Sequence, residues 1–304
     1  MGLIREVVDF FRPNPLDAML EHVKRKNERR VLLVWNRGLG DIALGLYAMV
    51  YRIKELIPNA EITFLTRPDL KEGFDLLGGV HVLIGQSWER GGVIDIDSTL
   101  SAHEKSREDF DLIIEKPDPT KWTKWQIDEL VPKLQWKGKW DKLVEPFQLD
   151  PEGGYIGVHL QTETGHFYGY EKNWPLKSWY ELCKHLTEEK KKKVILFGLT
   201  PEPAFEMEGV IDLRGKTNLF EMLSIVKNRL SCLIVPDSGV LSIAFYLDAN
   251  FPLKLVSLWS DPRQGVLKQN VSSPNRELVH IPLIGRDECI QNICVKKVLQ
   301  AIEC

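Results

Sequence analysis

The chain has 304 residues, 43% hydrophobic and 27% charged, with a net charge of -3. That length is ample for two domains of ordinary size, and the slight acidity gives bulk nucleic-acid binding no support. No stretch approaches the ~18 consecutive apolar residues of a membrane-spanning helix. The cysteines are Cys183, Cys232, Cys289, Cys294 and Cys304. Their odd number reads as thiols in a reducing, cytoplasmic setting rather than a disulfide framework. Cys289 and Cys294 lack the second pair that a zinc site needs.

The N-terminus is broken by acidic residues and a proline, so it does not read as a secretory leader. Leu3, Ile4, Val7, Val8 and Phe11 fall on one helical face. Leu16, Met19, Leu20 and Val23 fall on a second, which runs into the basic residues Lys24, Arg25, Lys26, Arg29 and Arg30. The preferred reading is a helix packed on its domain with a solvated charged end. The alternative is a helical pair resting peripherally on an anionic membrane face.

From residue 30 onward short apolar runs alternate with helical patterns. Strands are expected at 30–35, 61–66, 81–84, 93–96 and 111–115, with a helix over 42–57. This rhythm argues for βαβ units and a parallel sheet. Residues 118–149 set Trp122, Trp125, Trp136 and Trp140 among lysines, read as helical packing with snorkelling lysine stems. Pro151-Glu152-Gly153-Gly154 reads as a break. The rhythm then restarts, with strands at 155–160, 194–197, 210–213, 232–235 and 253–258. Asn218 and Glu221 have the spacing of a capping box. The expected architecture is two Rossmann-like α/β domains, 1–150 and 151–304, with a last helix near 295–302 returning to the first.

Four turns could carry chemistry. Asn36-Arg37-Gly38-Leu39-Gly40-Asp41 joins the first strand to the first helix. Gly38, Gly40 and Ala43 match G-x-G-x-x-A, but the acid expected after the second strand is replaced by Thr66-Arg67. Asp41 at that mouth suits a general base better than a phosphate cradle, and an ordinary helix cap equally well. Lys172-Asn173-Trp174-Pro175 precedes a helix, where a lysine can neutralise a phosphate and proline suits the first turn. Val235-Pro236-Asp237-Ser238-Gly239 lies between a buried strand and a helix, where open sheets bind ligands and the amides of Ser238, Gly239 and Val240 can face one. Trp259-Ser260-Asp261-Pro262 closes the last strong strand.

Taken in order, these turns resemble the ADP-heptose–lipopolysaccharide heptosyltransferase family. The resemblance is carried by Gly40-Asp41, Lys172-Asn173-Trp174-Pro175, Phe197-Gly198, Leu213 to Leu219 with Lys216, Asp237-Ser238-Gly239 and Ser260-Asp261-Pro262, and it extends to Cys289 and Cys294. It covers residues 155–304 best. Where the family carries histidine three residues after the Asp-Ser/Thr-Gly turn, this chain has Ser242. The resemblance implies two facing Rossmann-like domains of the GT-B type. It implies an inverting transfer of a heptose-like sugar from an ADP-sugar co-substrate to a glycolipid acceptor, with neither metal nor other cofactor. Asp41 would be the base and Lys172 the cation at the leaving diphosphate. Gly40, Phe197, Gly198, Leu213, Lys216, Asp237, Ser238, Gly239, Ser242 and Asp261 would line the donor site. The competing readings are a non-catalytic nucleotide-sugar or glycan binder and an NAD(P)-dependent oxidoreductase.

Overall fold

A computed structural model describes residues 14–162 and 171–303. The amphipathic segment expected over residues 3–11 lies outside them. The chain divides into two compact units, Met1–Leu130 and Val131–Cys304.

The first unit opens with helix α1 (Pro15–Arg25), capped by the Asn14 side chain, with Leu16, Leu20 and Val23 buried. Asp17 takes both Nε and one terminal nitrogen of Arg52 at 2.8 and 2.9 Å. This fixes α1 against helix α2 (Tyr47–Leu56). The apolar face that could have met a membrane is therefore spent on packing. Strands β1 (Arg30–Trp35), β2 (Glu61–Thr66), β3 (His81–Ile84) and β4 (Leu112–Ile114) form a parallel sheet in the order β3-β2-β1-β4. The near-continuous apolar runs of β1 and β2 suit strands covered on both faces. Asp111 ties β1 to β4. It accepts from the amides of Arg29 and Arg30 and pairs with the Arg30 guanidinium at 2.6 Å. That guanidinium holds the Asp111 carboxyl well below the usual carboxylate range. Helix α3 (Lys71–Asp75) leads to β3.

The strand expected at 93–96 is instead the approach to helix α4 (Ile96–Ala102), because Asp95 accepts from the Ser98 amide and caps it. Val93, the apolar residue that suggested a strand, is 96% exposed.

The second unit begins with residues that the sequence reading assigned to the first half. Short strand β5 (Leu134–Gln135) pairs with β10 (Leu247–Asp248). The tryptophans that follow do not sit on an α-helix but on and beside a 3-10 segment, Gly138–Phe147. Trp140 stacks on Phe220 at 4.2 Å between centroids, and Lys137 Nζ lies 5.3 Å from the Trp140 centroid. Those aromatic contacts carry residues 131–150 with the second unit, ahead of the Gly/Pro break.

The main sheet of this unit contains β6 (Tyr155–His159), β7 (Val194–Phe197), β8 (Val210–Asp212), β9 (Leu230–Pro236), β11 (Leu253–Trp259) and β12 (Leu278–Ile284), all parallel. Their order is β12-β11-β9-β6-β7-β8. β12 was not expected from the sequence. It carries Pro282, which an edge strand tolerates, and none of its residues is fully buried.

Helices α5 (Leu176–Lys184), α6 (Leu219–Arg229), α7 (Gly239–Phe245), α8 (Gly265–Gln269) and α9 (Val295–Glu303) complete the unit. Asn218 and Glu221 form the expected capping box on α6. The main core sets Ile156, Val158, Leu196, Ile234 and Val256 of the sheet against Trp174, Trp179 and Leu182, and against Val298 and Ala301 of α9. Helix α9 packs on α5, β11 and β12 of its own unit. Cys183 and Cys232 are buried thiols. No helix among the described residues is long and apolar enough to cross a membrane.

Candidate active site

Read from β8 to β12, the second sheet has the chain order 3-2-1-4-5-6, which reverses between β6 and β9. Ligands of open parallel sheets bind in the crevice outside the carboxyl ends of the strands at such a reversal. The residues that follow β6 and β9 are therefore the first to consider.

β9 ends at Pro236, and Asp237 follows, its amide donating to Leu258 O at 3.1 Å. Lys172, from the loop that returns to α5, places Nζ 2.7 Å from Asp237 Oδ2. The side chains are 11% and 8% exposed, so the pair is removed from most of the solvent. Two motifs 65 positions apart thereby become one site. On the other side of the carboxylate, a Cβ at Gly265 would lie 2.8 Å from Asp237 Oδ1 and 2.8 Å from the Trp259 ring, at φ +50°. Only glycine fits that backbone and that space together.

The rest of the Lys-x-Trp-Pro motif holds its loop in place. Asn173 accepts from the Thr162 amide at 2.8 Å and returns its own amide to Thr162 O at 3.3 Å. Trp174 donates Nε1 to Ile293 O at 2.9 Å and meets Trp179 edge-on. Pro175 stands at the start of α5, one position ahead of its first helical residue. Ser260 donates its hydroxyl to Glu171 O, which joins the last-strand loop to the lysine loop. Asp261 accepts from the Arg263 amide and guanidinium, and that guanidinium holds its carboxyl below the ordinary range.

Ser238 caps α7 by accepting from the Leu241 amide at 3.2 Å, and Gly239 begins the helix. Ser242, at the position of the family histidine, is 2% exposed and donates to Ser238 O at 3.3 Å. Phe197, Gly198, Leu213 and Lys216 gather at the ends of β7 and β8. Gly198 O accepts from the Gly215 amide at 2.8 Å, and Lys216 Nζ reaches Asp212 O at 2.8 Å. Buried Arg214 forks onto Asp212 through Nε and a terminal nitrogen at 2.9 and 2.7 Å.

In the first unit the Gly40-Asp41 turn follows β1. Asp41 is already helical, at φ -64° and ψ -21°, and its side chain makes no capping hydrogen bond. The carboxylate folds back over the turn, so that a Cβ at Gly38 would lie 2.9 Å from Oδ2. Trp35 donates Nε1 to Gly38 O at 3.2 Å, and Arg37 lies over the Trp35 ring. The tryptophan and arginine of this turn thus support its backbone. A π-turn, Ile42–Leu46, follows Asp41 and widens the helix start, a device often seen beside functional residues. Gly45 makes it fit: a Cβ there would lie 2.5 Å from Pro119 O.

Sequence reasoning missed three groups. His159 ends β6 at the chain reversal, 6% exposed. Gly265 backs Asp237. Buried Arg67 follows β2, paired with Asp69 at 2.6 Å and donating to Asn36 Oδ1 at 3.3 Å. Each is a single polar or glycine residue at or next to the end of a strand or helix, a signal that becomes specific only once the strand order is known. Among the described residues, no group of three or more His, Cys, Asp and Glu is placed to hold a metal ion.

No family model and no curated protein sequence matches the chain. Solved structures do. The glycosyl transferase family 9 structure from Veillonella parvula DSM 2008 matches with a TM-score of 0.57 at 14% identity, over 90% of this chain and 96% of that one. The E. coli ADP-heptose LPS heptosyltransferase II structure matches with a TM-score of 0.55 at 17% identity, over 90% and 97%. E. coli heptosyltransferase WaaC with ADP matches with a TM-score of 0.50 at 14% identity, over 90% and 97%. The chain therefore has the α/β fold of these glycosyltransferases over nine-tenths of its length.

Proposed function

We propose that the chain is a glycosyltransferase that moves a heptose-like sugar from an ADP-sugar to a lipopolysaccharide core or related glycan acceptor, with inversion and without a metal. The observation that carries this reading is the buried Lys172–Asp237 pair at the chain reversal of the second sheet. It falls on two motifs of the resemblance, in a chain with the fold of solved heptosyltransferases. One of those is a complex with ADP.

In this reading Asp41 accepts the proton of the acceptor hydroxyl. The hydroxyl oxygen attacks the anomeric carbon, the bond from that carbon to the diphosphate oxygen breaks, and ADP leaves with the electron pair. Lys172, held in position by Asp237, is a preorganised cation for the charge that develops on the diphosphate. Donors placed in this way commonly contribute roughly 3 kcal/mol each. The donor belongs to the second unit. The protein works in the cytoplasm, reaching its glycolipid acceptor at the membrane face.

The oxidoreductase reading is weaker on this structure. The end of β2, where a ribose-binding acid would stand, carries Thr66, whose hydroxyl donates to Trp35 O at 2.8 Å.

The test is Asp41→Asn in an assay with ADP-sugar and acceptor. The variant keeps the shape and loses the base. Turnover should fall by roughly 10²–10⁴-fold with ADP affinity and melting temperature near wild type. Turnover near wild type would remove Asp41 as the base.

A further inference from the structure

His159 is the last residue of β6, on the strand that borders the chain reversal. Its neighbours Val158 and Leu160 face the core beneath α5 and α9. Strand alternation turns His159 to the opposite face, which it shares with Gly157. At Gly157 a Cβ would lie 3.1 Å from Phe197 Cε2 and 3.2 Å from Leu233 Cδ1, so that face is lined by Phe197 and Leu233. In the β6–β9 register Val158 lies opposite Ile234, which sets His159 beside Val235, two residues before Asp237.

In this apolar frame His159 Nδ1 is fully buried and has no hydrogen-bond partner among the described residues. A buried polar atom left unpaired costs folding free energy, and native structures keep few of them. A position that needed only volume would be served by leucine or phenylalanine. Burial also pushes the imidazole down to about 4, so the ring is neutral, with one N–H to give. A neutral donor can meet an anion without a further cation beside Lys172.

We propose that His159 is a binding residue of the donor site, donating an imidazole N–H to a diphosphate oxygen of the nucleotide held outside β6 and β9. This rests on the nucleotide-donor reading above and adds a residue to it. The diphosphate supplies the partner that Nδ1 lacks among the described residues, and Lys172 supplies the charge.

The test is ADP calorimetry on the wild type, His159→Phe and His159→Asn, with imidazole 15N resonances of the wild type recorded as ADP is added. Wild type should bind ADP. His159→Phe should weaken binding roughly tenfold or more, as loss of a hydrogen bond to a charged group does. His159→Asn, which keeps an N–H donor, should recover part of the loss. The His159 nitrogens should shift on ADP addition, a readout that stands even where the phenylalanine variant does not fold. Equal ADP affinity in wild type and His159→Phe, or unmoved His159 nitrogens in ADP-saturated wild type, would overturn the proposal and leave the donor reading standing. Absence of ADP binding to the wild type would overturn both.

Discussion

Lys172 Nζ lies 2.7 Å from Asp237 Oδ2, and both side chains are nine-tenths buried. The pair joins the loop ahead of α5 to the end of β9, so each residue is a structural partner of the other as well as a site residue. Removing one charge leaves its partner buried and uncompensated, which for a well-buried pair costs about 3–5 kcal/mol. Lys172→Ala should therefore lower both ADP affinity and stability. The double variant Lys172→Ala/Asp237→Ala should be less destabilised than the sum of the single changes. Urea unfolding of the four proteins checks this, and additive losses would show that the pair is not coupled.

Gly38 and Asp41 form a second such relationship. The Gly38 backbone does not need a left-handed conformation, but its Cα faces the Asp41 carboxylate at a distance that excludes a Cβ. Gly38→Ala should displace the carboxylate while leaving the fold intact. Turnover should fall at least about tenfold, in the direction of Asp41→Asn, with an unchanged melting temperature. Full activity in Gly38→Ala would mean that the carboxylate position is unimportant.

Gly45 presses against backbone rather than a side chain, with Pro119 O 2.5 Å from the position of a Cβ. Gly45→Ala must shift the π-turn or the 119 loop. Overpacking of this kind costs about 1–3 kcal/mol. The urea midpoint should fall accordingly, and a wild-type midpoint would show that the loop yields freely.

Two buried histidines give the protein a pH-dependent stability. His159 and His280 are both pushed down to about 4 by burial. His280 Nε2 lies 2.6 Å from Ser257 Oγ, which also accepts from Trp259 Nε1 at 2.6 Å. Between the ordinary histidine value of ~6.5 and the folded value of about 4, the unfolded chain binds the extra protons. Stability is therefore full above that window and falls as pH drops through it, by ~1.4 kcal/mol per pH unit for a fully shifted histidine. His280, only half-buried, should contribute less. Urea midpoints across this window should fall with pH, and His159→Asn should flatten the slope by about one proton. An unchanged slope in the variant would mean that His159 is not buried neutral.

The sequence made the apolar strands legible. β1, β2, β6, β7, β9 and β11 are short apolar runs buried along nearly their whole length. β12 escaped because Pro282 interrupts its apolar run, a residue that fits a strand only at an edge. Val93 misled because an apolar residue can stand exposed before a capped helix. The Gly/Pro break at 151–154 is a real turn, with Gly153 and Gly154 at φ +69° and +77°. It does not part the units, because Trp140 stacks on Phe220 from ahead of it. Lys172 and Asp237 could be named from local motifs, but their pairing depends on strand order, which no local motif carries. His159 was passed over as the end of an apolar run. What singles it out is a buried nitrogen without a partner, and that exists only in three dimensions.

Calorimetric titration of the purified chain with ADP, UDP and NAD under the same conditions tests the donor site most directly. ADP should bind saturably and more tightly than UDP or NAD. Lys172→Ala should bind ADP at least about tenfold more weakly, the scale of one lost charge-assisted contact. No binding of ADP, or NAD bound more tightly than ADP, would contradict the donor reading.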